Sequence, residues 1–272
     1  MAKQIIAVLC EGAHDVEFLS RILMSNSFKS NDGLKIKDYP SPIDQLLKTE
    51  ATKSNVDDLN LSTIREVLLP SRTLKKDENY FLFYAMGGDG KKTIRKQLLL
   101  DFYTLIPKSN EISPLPQDTH LGIIYFLDSD DNGVLERISQ LNSEVNDVLN
   151  IEPFTSHKEI YVHNHLKLGA FIFTGLDNDK GKLEDILMPL MKKDNEDIFD
   201  NADLYLKEHF NDSRKAQKFD NDKSIIGIVG QLQISGASNT VCIKKSDYLT
   251  DMKIKADIKC VEIVDYVNSL LL

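Results

Sequence analysis

The sequence predicts an α/β protein: a mostly parallel sheet flanked by helices, followed by a mostly helical C-terminal part. Three observations carry this reading. Apolar runs recur at residues 4–10, 80–85 and 121–127, the first of them β-branched; each leads into a short turn rich in Gly or Asp; and each turn opens onto a helical pattern. A continuous apolar run is how a strand buried on both faces of a parallel sheet reads. Strand, turn and helix repeated in series imply parallel strands joined by right-handed crossovers.

The elements follow in order. Residues 4–10 form the first strand, and after Glu11-Gly12 the stripe Val16, Leu19, Ile22, Leu23 predicts a helix over about 14–26. Residues 80–85 run into Gly87-Gly88-Asp89-Gly90 and a helix to about Ile106, and 121–127 run through 128–133 into a helix to about Leu149. A fourth strand is expected near 169–174. Residues 27–79, rich in Ser, Asn, Asp and Lys, break this rhythm; with helical patterns only at 42–50 and 61–69, they read as an insertion over the sheet. Further helical patterns lie at about 182–193, 200–210, 222–233 and 257–271. The expected organisation is therefore an α/β domain over 1–175 with an insertion at about 27–79, and a mostly helical extension over 176–272 packed on it.

Composition bounds the function. The 272 residues carry 42 acidic and 33 basic side chains, a formal charge of −9, with 42% hydrophobic and 28% charged residues. That balance suits a soluble globular chain and excludes a disordered or fibrous one. An acidic chain also lacks a broadly basic surface, so a polyanionic partner must be met by a local basic patch or through metal ions. Cys10, Cys242 and Cys260 are odd in number, far apart and without CxxC spacing. Neither a disulfide framework nor a zinc site is suggested, and a reducing compartment is expected. The apolar run at 5–10 is too short for a signal peptide, and no run approaches a membrane span, so the expected location is the cytoplasm with no membrane partner.

In an open α/β sheet, ligands gather at the carboxyl ends of the strands, and here those ends are acidic. The first strand ends in Glu11-Gly12, with Asp15 one helical turn beyond and able to point back. The third ends in Asp128-Ser129-Asp130, whose two carboxylates share a side if the extended backbone persists. Hard divalent cations take oxygen ligands of this kind, so the set reads as a Mg²⁺ site with Mn²⁺ as substitute. Each acid taken singly could equally be a helix N-cap. As a set, they place like charges together, which is costly without a cation and should raise at least one pKa in its absence.

Several motifs are decoys. Residues 128–133 match the first half of an EF-hand loop, but the twelfth position is Ser139 and a strand precedes where a helix is required. Gly87-Gly88-Asp89-Gly90-Lys91-Lys92-Thr93 misses the P-loop pattern in either register, though Gly87, Gly88, Gly90, Lys91 and Lys92 could still hold a phosphate at a helix N-terminus. The basic cluster Lys91, Lys92, Arg95, Lys96 follows that turn and is weighed equally as a phosphate-contacting patch or a solvated helix face. His163 and His165 lack a third ligand, and a locally satisfied pair is the better reading. Lys223, in Asp222-Lys223-Ser224 at a helix start, is a candidate for phosphate binding or transition-state stabilisation.

The stretch Val8-Leu9-Cys10-Glu11-Gly12-Ala13-His14-Asp15 resembles the glutamate motif of Toprim domains, and Phe126-Leu127-Asp128-Ser129-Asp130 resembles their DxD motif. Tyr84-Ala85-Met86-Gly87-Gly88 is similar to the strand-to-glycine turn between them. Gly181-Lys182-Leu183-Glu184-Asp185 resembles a segment of small stand-alone Toprim proteins related to the overcoming-lysogenization-defect nucleases. The resemblance implies a Toprim, Rossmann-like fold and Mg²⁺-dependent phosphodiester chemistry on nucleic acid, DNA or RNA. It casts Glu11 as general acid/base or metal ligand, Asp128 and Asp130 as catalytic metal ligands, Asp15 as their support and Glu184 as completing a second site. A topoisomerase would need a nucleophilic tyrosine on a further domain and a primase a zinc module, so nuclease is the expectation. The alternative is a non-catalytic scaffold or nucleic-acid-binding module in a repair or defence complex. Whether a separate ATPase or other protein partner takes part is left open.

Overall fold

The structure is a computed structural model that describes residues 3–53, 69–86, 88–107, 115–116, 118–175, 178–209 and 220–271. Most of the helical pattern at 61–69, and Gly87, fall outside these residues. The chain begins with β1 (Lys3–Cys10) and α1 (Ala13–Met24), then β2 (Lys29–Ser30), α2 (Ile43–Lys53), β3 (Arg72–Lys76) and β4 (Asn79–Ala85). Next come α3 (Lys92–Thr104), β5 (Thr119–Asp128), α4 (Val134–Leu149), β6 (Ile160–His163) and β7 (Leu166–Phe173). The remainder is helical: α5 (Glu184–Lys192), α6 (Glu196–His209), α7 (Asn221–Gln233), α8 (Asn239–Lys245), α9 (Asp251–Ala256) and α10 (Ile258–Ser269).

Seven strands form one sheet in the order β2-β3-β4-β1-β5-β7-β6. β1 pairs in parallel with both β4 and β5, and β5 with β7, so the four apolar runs seen in the sequence are the parallel centre. The edges are antiparallel: β3 with β4 and β2, and β6 with β7. The segment 27–79 is thus more than a cover, because β2 and β3 extend the sheet. Its strands escaped the pattern because β2 has only two residues and β3, Arg72-Thr73-Leu74-Lys75-Lys76, buries Arg72 and Thr73 beside a single apolar Leu74, so neither shows an apolar run.

β1 shows how the layers form. Ile6, Val8 and Cys10 point into a buried cluster with Phe18 and Leu19 of α1, and with the apolar faces of α5 to α8 and α10. Ile5, Ala7 and Leu9 point the other way, against Leu98 and Phe102 of α3 and Ile138 and Leu141 of α4. The period of two along a strand thus sends alternate residues to opposite helical layers. The C-terminal helices share their apolar cluster with α1 and the sheet. No helix among the described residues is long and apolar enough to cross a membrane.

Candidate functional site

The first strand ends at Cys10 and its chain turns at once into α1, which leaves Glu11 at the carboxyl edge of the sheet. Asp15, one turn in, reaches back as expected: its Oδ2 accepts a hydrogen bond from Gly12 N at 2.7 Å. It therefore caps the helix. It is also only 6% exposed, which is unusual for a capping carboxylate.

β5 lies beside β1 and ends at Asp128, bringing the second acid to the same edge. Asp128 Oδ1 accepts from Leu183 N at 2.8 Å. That bond ties the strand end to the start of α5 and so delivers Glu184, which is 2% exposed. The tie has a second strand of contacts. Ser129 is buried, with Oγ donating to the carbonyls of Phe173 and Gly181 at 2.8 and 3.1 Å, and Asp130 and Gly181 exchange backbone hydrogen bonds of 2.8 and 3.2 Å. Gly181 has φ +139°, and a Cβ there would lie 2.5 Å from Gly175 N, so the close approach needs glycine.

Glu11, Gly12, His14, Asp15, Asp128, Glu184 and Lys223 line one cleft of about 410 Å³, with Gly88 at its margin. Lys223 arrives on α7, its Nζ 3.3 Å from Glu184 Oε1 and 3.6 Å from Asp220. His14 Nδ1 stands 3.5 Å from the same Glu184 oxygen. Burial pushes the Asp128 carboxyl up to about 8, and the neighbouring charges of Asp15 and Glu11 add to this. Burial likewise lifts Asp15 to about 7, with Glu11 and Glu184 adding and the Gly12 amide opposing. Glu184 behaves oppositely: burial raises it, but His14 and Lys223 outweigh burial and hold it below its ordinary value.

Asp130 departs from the expected alternation. The extended backbone stops at Asp128, and Asp130 is left-handed at φ +48°. Its carboxylate turns to Arg137 of α4, whose Nη2 is 2.9 Å from Asp130 Oδ2 and 3.2 Å from Glu11 Oε1. Arg137 Nε also donates to the Asp128 carbonyl at 2.7 Å. The link from Asp130 to Glu11 thus runs through a guanidinium, and Asp130 faces a neighbouring cavity of about 500 Å³ with Asp131 and Lys182.

The glycine-lysine turn is only partly at the site. The amide of Gly88 donates to the Glu11 carbonyl at 3.3 Å, so it is already used, and Gly90, Lys91 and Lys92 do not line the cleft. Of the basic cluster, Arg95 is withdrawn from the surface. That side chain is 3% exposed and bound bidentately to Glu144 at 2.6 and 3.0 Å, a structural pair. Lys96 pairs with Asp147. His163 stacks on Tyr103 with ring centroids 5.7 Å apart, a local satisfaction of the kind expected.

Two residues at the site, His14 and Arg137, were not singled out from the sequence. Arg137 had a faint signal, since a cation near a helix N-terminus opposes the helix dipole and calls for a local reason. Chemically, the cleft offers hard carboxylate oxygens beside a lysine. Among the described residues, however, no three His, Cys, Asp or Glu side chains are drawn together into a ready ligand cage.

A family model described as "Protein of unknown function (DUF3226)" matches residues 6–270. The structure is similar to the crystal structure of hypothetical protein PH0156 from Pyrococcus horikoshii OT3, with a TM-score of 0.54 over 97% of this chain and 95% of that one, at 16% identity. What the two share is the fold. No curated protein matches the chain.

Proposed function

The chain belongs to the DUF3226 family, and from that premise and the geometry of the cleft we propose that it is a Toprim-type, Mg²⁺-dependent nuclease or related phosphoryl-transfer enzyme acting on nucleic acid. The observation that carries the reading is the meeting of Glu11, Asp15, Asp128 and Glu184 in one cleft at the carboxyl edge of two adjacent parallel strands. This is where an open α/β sheet holds its ligands. The donor set fits a hard divalent cation: the oxygens are carboxylates, and burial together with the neighbouring carboxylates pushes Asp15 and Asp128 towards the neutral form.

Mg²⁺, or Mn²⁺ in its place, supplies charge neutralisation at the scissile phosphate and acidifies a bound water. Asp128 and Asp15 are the side chains to hold it, with Glu184 beside them. Glu11, at the end of β1, accepts a proton from the attacking water. Lys223 presents an ammonium to a phosphate oxygen while Glu184 and Asp220 hold it in place. Asp130 keeps the turn after β5 in shape through Arg137 and Gly181.

The test is cleavage of single- and double-stranded DNA and RNA in Mn²⁺ or Mg²⁺. Asp128→Asn keeps the acceptor for Leu183 N but removes the charge, so cleavage should fall by orders of magnitude with the fold intact. Binding of nucleic acid without metal-dependent cleavage on any of these substrates would replace this reading with the scaffold one.

A further inference from the structure

We propose that Arg137 takes the place of one divalent cation, so that the cleft binds a single metal ion, held from the Asp15–Asp128 side. The inference rests on the metal-dependent reading above and deepens it. Arg137 is buried on α4 and touches Glu11 of the cleft at 3.2 Å and Asp130 of the neighbouring cavity at 2.9 Å. It is anchored where it stands, because Nε donates to the Asp128 carbonyl at 2.7 Å and Nη1 to Gln140 at 3.4 Å. A guanidinium stays protonated in proteins and offers five donors in a fixed fork, so its charge is permanent and its position set.

An ion ligated by Glu11 and Asp130 would sit against that guanidinium and be repelled by it. Freeing the two acids would require tearing a buried cation from the partners that anchor it, which is strongly unfavourable. Asp15 and Asp128 are different. Their carboxylates take hydrogen bonds from the backbone amides of Gly12 and Leu183. Among the described residues, neither has a Lys or Arg within ion-pair distance. One side of the cleft is therefore already neutralised by the chain and the other awaits a cation.

The experiment counts Mn²⁺ bound per chain by equilibrium dialysis, with free Mn²⁺ read by electron paramagnetic resonance, independently of any activity. The wild type should bind about one ion and Arg137→Gln about two, because Glu11 and Asp130 then lose the guanidinium that pairs with both. Arg137→Lys keeps the charge and should bind about one. Two ions on the wild type would overturn this inference while leaving the metal-dependent reading standing, as would a single ion on Arg137→Gln. No ion on the wild type would overturn both. Should Arg137→Gln not fold, the wild-type and Arg137→Lys counts still decide, since two ions on either refutes the substitution of arginine for metal.

Discussion

Asp128 and Leu183 are joined across 55 residues by a hydrogen bond of 2.8 Å from the Leu183 amide to the Asp128 carboxylate. The bond makes the end of a central strand the platform for the helix that carries Glu184, so the site and the docking of the C-terminal helices share one contact.

The first prediction concerns pH. Asp128 sits at about 8 and Asp15 at about 7, above the 3.8 of an unperturbed aspartate. The folded state then binds more protons than the unfolded state between these values, so the metal-free protein should lose stability as pH rises from about 4 to about 8. Asp128→Asn should flatten this slope and raise Tm at pH 8 by roughly 5 °C, with almost no gain at pH 4. Thermal melts in chelator across this range measure it; a slope of the opposite sign would refute the assignment.

The second reverses the first by mass action. A cation that binds only the folded protein stabilises it by about 2.7 kcal/mol at a hundredfold excess over Kd. Millimolar Mn²⁺ should raise the wild-type Tm more at pH 8 than at pH 5, because bound protons compete with the ion. The increment should vanish in Asp128→Asn. An unchanged wild-type Tm at both pH values argues against a formed metal site.

Arg95 separates structure from substrate contact. Arg95→Ala leaves Glu144 buried without its partner and should cost about 3–5 kcal/mol in urea denaturation. The pair of changes Arg95→Met and Glu144→Leu should recover most of that. Nucleic-acid affinity of the folded double variant should match the wild type; a drop of tenfold or more would return Arg95 to the phosphate-binding surface.

The helical part is tested at Gly230 of α7, where an added Cβ would lie 2.2 Å from Cys242 Sγ of α8. Gly230→Ala should destabilise the protein by about 1–3 kcal/mol through overpacking. Cys242→Ala in the same chain should restore part of the loss, and a thermal melt of the three variants decides.

Much of this fold is written in local pattern. The runs at 4–10, 80–85 and 121–127 are the three consecutive parallel strands β4, β1 and β5 of the sheet, and the run near 169–174 is β7. A strand covered on both faces must be apolar throughout, so its sequence announces it. β2, β3 and β6 lie outboard, where half-burial and polar residues erase the pattern, and α8 and α9 are too short to establish a period. Among the acids, Glu11, Asp15 and Asp128 could be anticipated because each follows a legible strand. The true setting of Asp130 could not, since a single left-handed residue redirected its carboxylate.

The sequence by itself determined the parallel centre, the two helical layers and the acidic character of the strand ends, because burial and backbone periodicity act over a few neighbouring residues. Tertiary structure alone decided which charges meet. It brought Glu184 and Lys223 to Glu11 and Asp128, placed Arg137 between Glu11 and Asp130, and withdrew Arg95 into a pair with Glu144. Coulomb energy and desolvation depend on distance and burial in space, quantities that spacing along a chain does not contain.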